Sequence, residues 1–204
     1  DSLQHLPIMK PDVSYKGNLK ASISLADFTS FFPQLKSYEQ PILLNSSFKG
    51  KGKDLNLHTL SLNDNKHIKL QGDVSLKNWD AGRNTYVSTH LNELSINETG
   101  LSYYIGGITS SIPPIIQRLK HIKFKGYADG FLHDLRIHGE THSEVGFLST
   151  DVRITTDEKN NRTYTGTILS DNLNLGKFLN NDKFGSTQFN VQVRGLDING
   201  RYPE

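Results

Sequence analysis

Apolar and polar residues alternate along most of the chain, and this alternation predicts antiparallel β-strands. It is clearest from Val13 onward, where every second residue is apolar or small and the residues between are mostly serine, asparagine and lysine. Such a strand has one apolar face and one wet face, which is typical of an antiparallel sheet. Similar stretches recur as far as Arg194 and predict about ten strands joined in a meander.

The alternation breaks at several places. Its parity switches between Leu57 and Leu60, which predicts a bulge or turn near His58 and Thr59. A turn at residues 80–84 leads into a predicted return strand over residues 85–91.

Three stretches lack the alternation. Residues 1–12 indicate a leader segment, and residues 28–40 a connector with at most one helical turn. Residues 100–120 are too apolar for a free loop, and Pro114 suits the first turn of a short helix ending near Lys120. Helix is therefore expected only in the connectors.

The meander repeats within the chain. Tyr15, Tyr86 and Tyr164 each begin a similar strand pattern, at spacings of 71 and 78 residues. The repeat predicts one elongated segment of a longer protein, cut within a unit at both ends. Its expected parts are a partial unit at 1–41, a unit at 42–121, a unit at 122–186 and the start of another at 187–204.

Composition narrows the function classes. The chain has 23 basic and 21 acidic residues and no cysteine, which argues against bulk nucleic-acid binding and excludes thiolate sites. His133, His138 and His142 have a spacing more typical of surface residues than of metal ligands. No catalytic motif occurs, so we expect neither an enzyme nor a metal or cofactor site.

The apolar side of the strands is the feature that could carry a function. In a closed sandwich or barrel these side chains would form an ordinary core, whereas in an open sheet they would line a long apolar groove. A repeated meander extends by adding strands, which favours the open form. The predicted inner wall is Leu19, Ile23, Ile68, Leu70, Val74, Leu76, Ile122, Phe124, Leu148, Val152, Ile154, Ile168, Val191 and Val193.

Residues 113–134, Thr150–Asp151 and the tail at 173–179 resemble the TamB family of translocation and assembly proteins, within the wider AsmA-like group. The shared features are the spaced glycines, such as Gly126 and Gly130, the apolar alternation and a Leu-x-Leu-Gly tail. The resemblance implies an all-β, taco-shaped open groove with short helical connectors, in the periplasmic part of a protein anchored in the inner membrane of a Gram-negative bacterium.

The resemblance also implies a function without catalytic residues. Phospholipid acyl chains would pass along the groove between the inner and outer membranes, and an Omp85-type outer-membrane partner would bind through other parts of the protein. Two alternatives stay open at this point: a chaperone or scaffold for nascent outer-membrane strands, and a closed structural sandwich. We also expect the exposed edge strands to associate with one another.

Overall fold

The fold is a single antiparallel sheet of ten strands. The structure is a computed structural model that describes residues 11–24, 26, 40–105, 117–159 and 161–197. The strands are β1 (Ser14–Ser24), β2 (Pro41–Lys51), β3 (Asp54–Asn63), β4 (Ile68–Lys77), β5 (Tyr86–Ile96), β6 (Ile122–Phe131), β7 (Asp134–Ser143), β8 (Gly146–Thr156), β9 (Arg162–Asn174) and β10 (Ser186–Asp197).

Each strand pairs with the next one along the chain, so the sheet order is the sequence order. β1 and β10 lie at opposite edges and the sheet does not close on itself. Strands hold 68% of the described residues, and the described helices are only short connector turns. The predicted all-β, open and curved meander is therefore confirmed.

The helical elements occur after particular strands. α1 (Glu98–Gly100) follows β5 and continues into a π-helical turn (Leu101–Ile105), while α2 (Leu175–Leu179) follows β9. A 3₁₀ turn (Gly82–Asn84) precedes β5. The predicted leader at 1–12 and the connectors at 28–40 and around Pro114 lie wholly or mostly outside the described residues.

The predicted bulge in β3 is confirmed. The pairing of β3 with both neighbours shifts at His58–Thr59, and Thr59 has a φ of 50°. An extra residue at this point lets Leu57 and Leu60 keep the same side of the sheet although three positions separate them.

The return strand after the 80–84 turn is longer than predicted. β5 extends to Ile96 rather than ending near Leu91, because a second bulge lies between Leu91 and Leu94. The bulge reverses the sequence parity there, so the alternation stops in the sequence while the strand continues.

Bending features align at the middle of the strands from β3 to β7. Bulges occupy this line in β3 and β5, and glycines occupy it in the strands between and beyond: Gly72, Gly126 and Gly139. A Cβ at Gly72 would lie 2.2 Å from the carbonyl oxygen of His90, so the neighbouring backbone approaches too closely for any side chain. Bulges and glycines both bend strands, and the sheet curves along this line.

The connectors after β5 and β9 begin alike. Asn97 and Asn174 are the N-caps of α1 and α2, and each side chain accepts a hydrogen bond from a backbone N–H three residues on.

The alignment of the repeat is wrong at Tyr86. Tyr86 pairs with Phe131 on the polar side of the sheet, whereas Tyr164 lies on the apolar side. The boundaries of the repeat units stay a prediction.

Candidate functional site

The pairing register sorts every strand residue onto one of two faces. Residues directly opposite each other on antiparallel strands point to the same side. Following the pairs from β1 to β10 defines an apolar face, and its members include all fourteen residues of the predicted inner wall: Leu19, Ile23, Ile68, Leu70, Val74, Leu76, Ile122, Phe124, Leu148, Val152, Ile154, Ile168, Val191 and Val193.

The apolar face is wider than the sequence list. β2, β3, β5 and β7 contribute none of the fourteen residues, yet the register places an apolar series from each strand in the same surface. The additional aliphatic and aromatic members include Leu44, Phe48, Leu55, Leu57, Leu91, Leu94, Leu135 and Ile137. The alternation in β2 and β7 already signals these residues, whereas those of β3 and β5 require the bulges to be placed.

Charge is almost absent from the apolar face. Across the paired residues of all ten strands its only charged members are Arg162 and Asp197, which lie opposite each other at strand ends. The other strand charges lie on the opposite surface, here called the outer face. Charged and apolar residues stay on separate faces because each bulge adds one residue where the sequence alternation shifts. Without the bulge, the residues beyond it would lie on the wrong face.

The apolar face is only partly covered. Of the fourteen predicted wall residues, twelve are half-buried, while Leu19 and Val191 are 37% and 41% exposed. A second layer packed on the sheet would bury central residues such as Val74 and Val152 almost completely. Within the described part of the chain, the wall is therefore a surface rather than the interior of a sandwich.

Apart from Leu60, which is 6% exposed beside the β3 bulge, the buried apolar side chains lie where the connectors meet the strand ends. Leu101 and Tyr104 of the π-helical turn pack with Ile42 and Ile96, and Leu119 packs with Val145 and Leu173. All these residues lie at the same margin of the sheet, opposite the hairpin turns at 52–53 and 132–133. We call it the connector margin. The two clusters fix the connectors there and leave the middle of the apolar face uncovered by described residues.

A buried carboxylate anchors the first connector. The side chain of Asp64 is 0% exposed, accepts hydrogen bonds from the N–H groups of Lys66, His67 and Ile68, and accepts one from the Tyr104 hydroxyl at 2.9 Å. Burial alone would raise the pKa of Asp64, but the hydrogen bonds, first those from His67 and Ile68, stabilise the charged form and lower that pKa well below its ordinary value. Burial and then the Asp64 carboxylate raise the pKa of Tyr104. The hydrogen bond between Tyr104 and Asp64 joins the π-helical turn to the β3–β4 turn.

The outer face is polar and locally ordered. Arg136 forms a bidentate pair with Asp151, and Arg153 forms one with Asp134, which lowers the pKa of each carboxyl. Because these ion pairs are well exposed, they add little to the stability of the fold and mainly orient the four paired side chains.

The histidines do not gather into a site. The Tyr127 ring stacks between His90 and His138, with centroid distances of 4.5 and 4.9 Å. His133 bonds to the Arg83 carbonyl, and His142 contacts the Phe147 ring. No group of three or more acidic or histidine side chains in the described ranges is arranged to hold a metal ion.

Comparisons with known proteins do not assign the chain to a family. No protein-family model, curated protein or solved structure matches the chain. Among the described residues, no helix has the length and apolar character needed to cross a membrane.

Proposed function

We propose that the apolar face is a groove that shelters phospholipid acyl chains, in a TamB-like protein that transports phospholipid passively between two membranes. The observation that carries the proposal is an apolar surface that crosses ten strands, has almost no charge and is left uncovered by the described elements. Soluble monomers rarely expose a continuous apolar patch beyond a few hundred Å². A surface of this extent needs an apolar partner.

Acyl chains suit the shape and chemistry of this surface. The wall offers aliphatic side chains and glycines and few hydrogen-bonding groups, so it distinguishes ligands by apolarity and length. Each buried methylene contributes about 0.8 kcal/mol, so a chain in contact with a dozen methylenes would be held firmly. Since the wall is uniform from strand to strand, no position holds the chain much more tightly than the next, and sliding is favoured.

The wider setting belongs to the same proposal and is supported only by the sequence resemblance. It comprises a periplasmic location, an inner-membrane anchor, an Omp85-type partner and a role in outer-membrane biogenesis. The proposal assigns no catalytic role to any residue, because lipid transfer along a groove breaks no bond.

Site-specific photocrosslinking tests the lipid ligand. A benzophenone amino acid is introduced at Val74 or Val152 on the apolar face, and as a control at Ser75 or Arg153, the next residue of each strand and on the outer face. The protein is irradiated in a Gram-negative host, and the adducts are identified by mass spectrometry. We expect phospholipid adducts from the two apolar-face positions alone. Equal labelling of both faces, or no lipid adduct at all, contradicts the proposal.

The open edges favour one second candidate, a chaperone that pairs with extended segments of outer-membrane proteins. No described strand pairs with the free side of β1 or of β10, and such edges are templates for an added strand. The same experiment separates the two, because a chaperone would give protein adducts from probes on β1 and β10 rather than lipid adducts from the centre.

A further inference from the structure

The outer face of β1 and β2 carries a group of lysines without partners. Lys16 and Lys20 of β1 and Lys49 and Lys51 of β2 are all exposed on this face. None of the four takes part in the ion pairs or side-chain hydrogen bonds of the described residues. We call these four residues the lysine patch.

The patch contains an unfavourable arrangement. Lys16 and Lys49 lie directly opposite each other in the register, and like charges at opposed positions destabilise a strand pair. One strand carboxylate, that of Asp54, lies opposite Lys51, and it forms no ion pair with a described lysine. Asp54 offsets part of this charge, and the four ammonium groups keep an excess of positive charge.

Most lysines elsewhere on the outer face lie beside a carboxylate or a tyrosine ring, although Lys123 does not. Lys69 pairs with Glu93, Lys77 lies 5.8 Å from the centroid of the Tyr86 ring, and Lys125 lies opposite Glu140. The patch is thus a local excess of positive charge on a chain whose total charge is close to neutral.

Protection of an edge strand does not account for the whole patch. Lysines on an edge strand discourage pairing with other chains, which suits Lys16 and Lys20. Lys49 and Lys51, however, belong to β2, which is already paired on both sides. Lys49 and Lys51 double the positive charge of the patch, but they do not protect the free edge of β1 from pairing with another chain.

We propose that the lysine patch docks the outer face of β1 and β2 on a membrane surface that contains anionic phospholipid. Four lysines on one exposed face of a sheet can approach a charged plane together, and each lysine near such a surface strengthens binding about fivefold. No aromatic side chain interleaves with the lysines on this face, so the patch lacks the stacking groups of a single-stranded nucleic-acid site. The proposal does not depend on what the apolar face binds.

Vesicle co-sedimentation with two charge-matched variants tests the proposal. The patch variant carries Lys16→Gln, Lys20→Gln, Lys49→Gln and Lys51→Gln. The control variant carries Lys69→Gln, Lys77→Gln, Lys123→Gln and Lys125→Gln, four exposed lysines on the same outer face. Both variants lose the same charge. The vesicles are phosphatidylcholine alone, or phosphatidylcholine mixed with phosphatidylglycerol, at low and at high salt.

We expect the parent chain to bind the anionic vesicles at low salt, the control variant to bind within a few-fold of it, and the patch variant to bind on the order of five-hundredfold more weakly. Circular dichroism checks folding, and removal of the Lys16–Lys49 repulsion should leave the Tm of the patch variant unchanged or raised.

Four outcomes would overturn the proposal. Equal losses in both variants would mean that only net charge matters. Equal binding to neutral vesicles would mean insertion of the apolar face. No binding to anionic vesicles would remove the partner itself. Self-association of the patch variant with unchanged vesicle binding would leave edge protection as the role of these lysines.

Discussion

Gly126 and Gly139 lie opposite each other on β6 and β7, and the ring of Phe124 lies close to both. A Cβ on either glycine would approach the tip of that ring to within 2.8 Å and a backbone carbonyl oxygen to within 2.4 Å. The ring takes the space that side chains at both positions would otherwise fill, which is why the bend here needs two glycines.

Gly126→Ala is therefore expected to destabilise the sheet by about 1–3 kcal/mol, because the methyl group meets fixed backbone and cannot be relieved by a side-chain rotation. Gly185→Ala is the control, since no atom lies within 4 Å of its added Cβ. Urea unfolding of both variants measures the difference. Similar midpoints for the two would show that the close approach at Gly126 is not rigid.

The Asp64–Tyr104 hydrogen bond should hold the first connector on the sheet. Tyr104→Phe leaves one oxygen of a buried carboxylate without this donor and should cost about 1–3 kcal/mol in free energy of unfolding. Tyr86→Phe is the matched control, because the Tyr86 hydroxyl forms no hydrogen bond with a described residue. Thermal melting should separate the two variants, and hydrogen exchange should increase first in residues 97–105.

The same carboxylate predicts an acid-dependent stability. The folded-state pKa of Asp64 is lowered, so its contribution is complete above the ordinary pKa of an aspartate and is lost as the pH falls towards the folded value. We expect the Tm of the parent chain to fall below about pH 4 more steeply than that of Asp64→Asn, which starts lower and lacks this titration. Parallel curves for the two proteins would contradict the assignment.

Alternation was sufficient to predict the strands and their faces because the side-chain period of a strand is two and does not depend on its neighbours. It also located the bulge at Thr59, since the parity of leucines changes across it. It could not extend β5 beyond Leu91, because Asn92 interrupts the pattern while the backbone pairing continues. The repeat aligned Tyr86 with Tyr15 and Tyr164, although Tyr86 lies on the outer face and the other two on the apolar face. Tyrosine suits either side of a strand, and only the register decides.

Other features depend on contacts between distant residues. The anchor at Asp64 joins residues 40 positions apart, and nothing in the local sequence distinguishes it from a turn aspartate. The lysine patch needs the pairing of β1 with β2, which brings Lys16 opposite Lys49 across a long connector. The openness of the sheet was favoured by the repeat and became definite only with the pairing of all ten strands.

The free edges should cause self-association. N–H groups of an edge strand point alternately towards its neighbour and away from it, so Gln192→Pro and Val193→Pro remove groups on opposite sides of β10. The proline that removes an outward N–H should reduce concentration-dependent association with little change in Tm. The proline that removes an N–H facing β9 should lower the free energy of unfolding by about 1–3 kcal/mol, because it breaks the β9–β10 ladder. Light scattering over a concentration series measures the first effect. A parent chain that stays monomeric throughout would contradict the prediction.

A charge placed on the apolar face should separate ligand binding from folding. Val152→Asp puts a carboxylate on a half-buried wall position that water can reach, so we expect a modest loss of Tm and a clear loss of the lipid that co-purifies. Leu173→Asp is the contrasting variant, because Leu173 is 2% exposed in the cluster at the connector margin. There an unpaired carboxylate costs several kcal/mol, comparable to the whole stability of a domain, and the chain should unfold. Thr165→Asp, on the outer face, should keep both the Tm and the lipid. If Val152→Asp unfolds the chain as Leu173→Asp does, position 152 belongs to a closed core and the groove hypothesis is wrong.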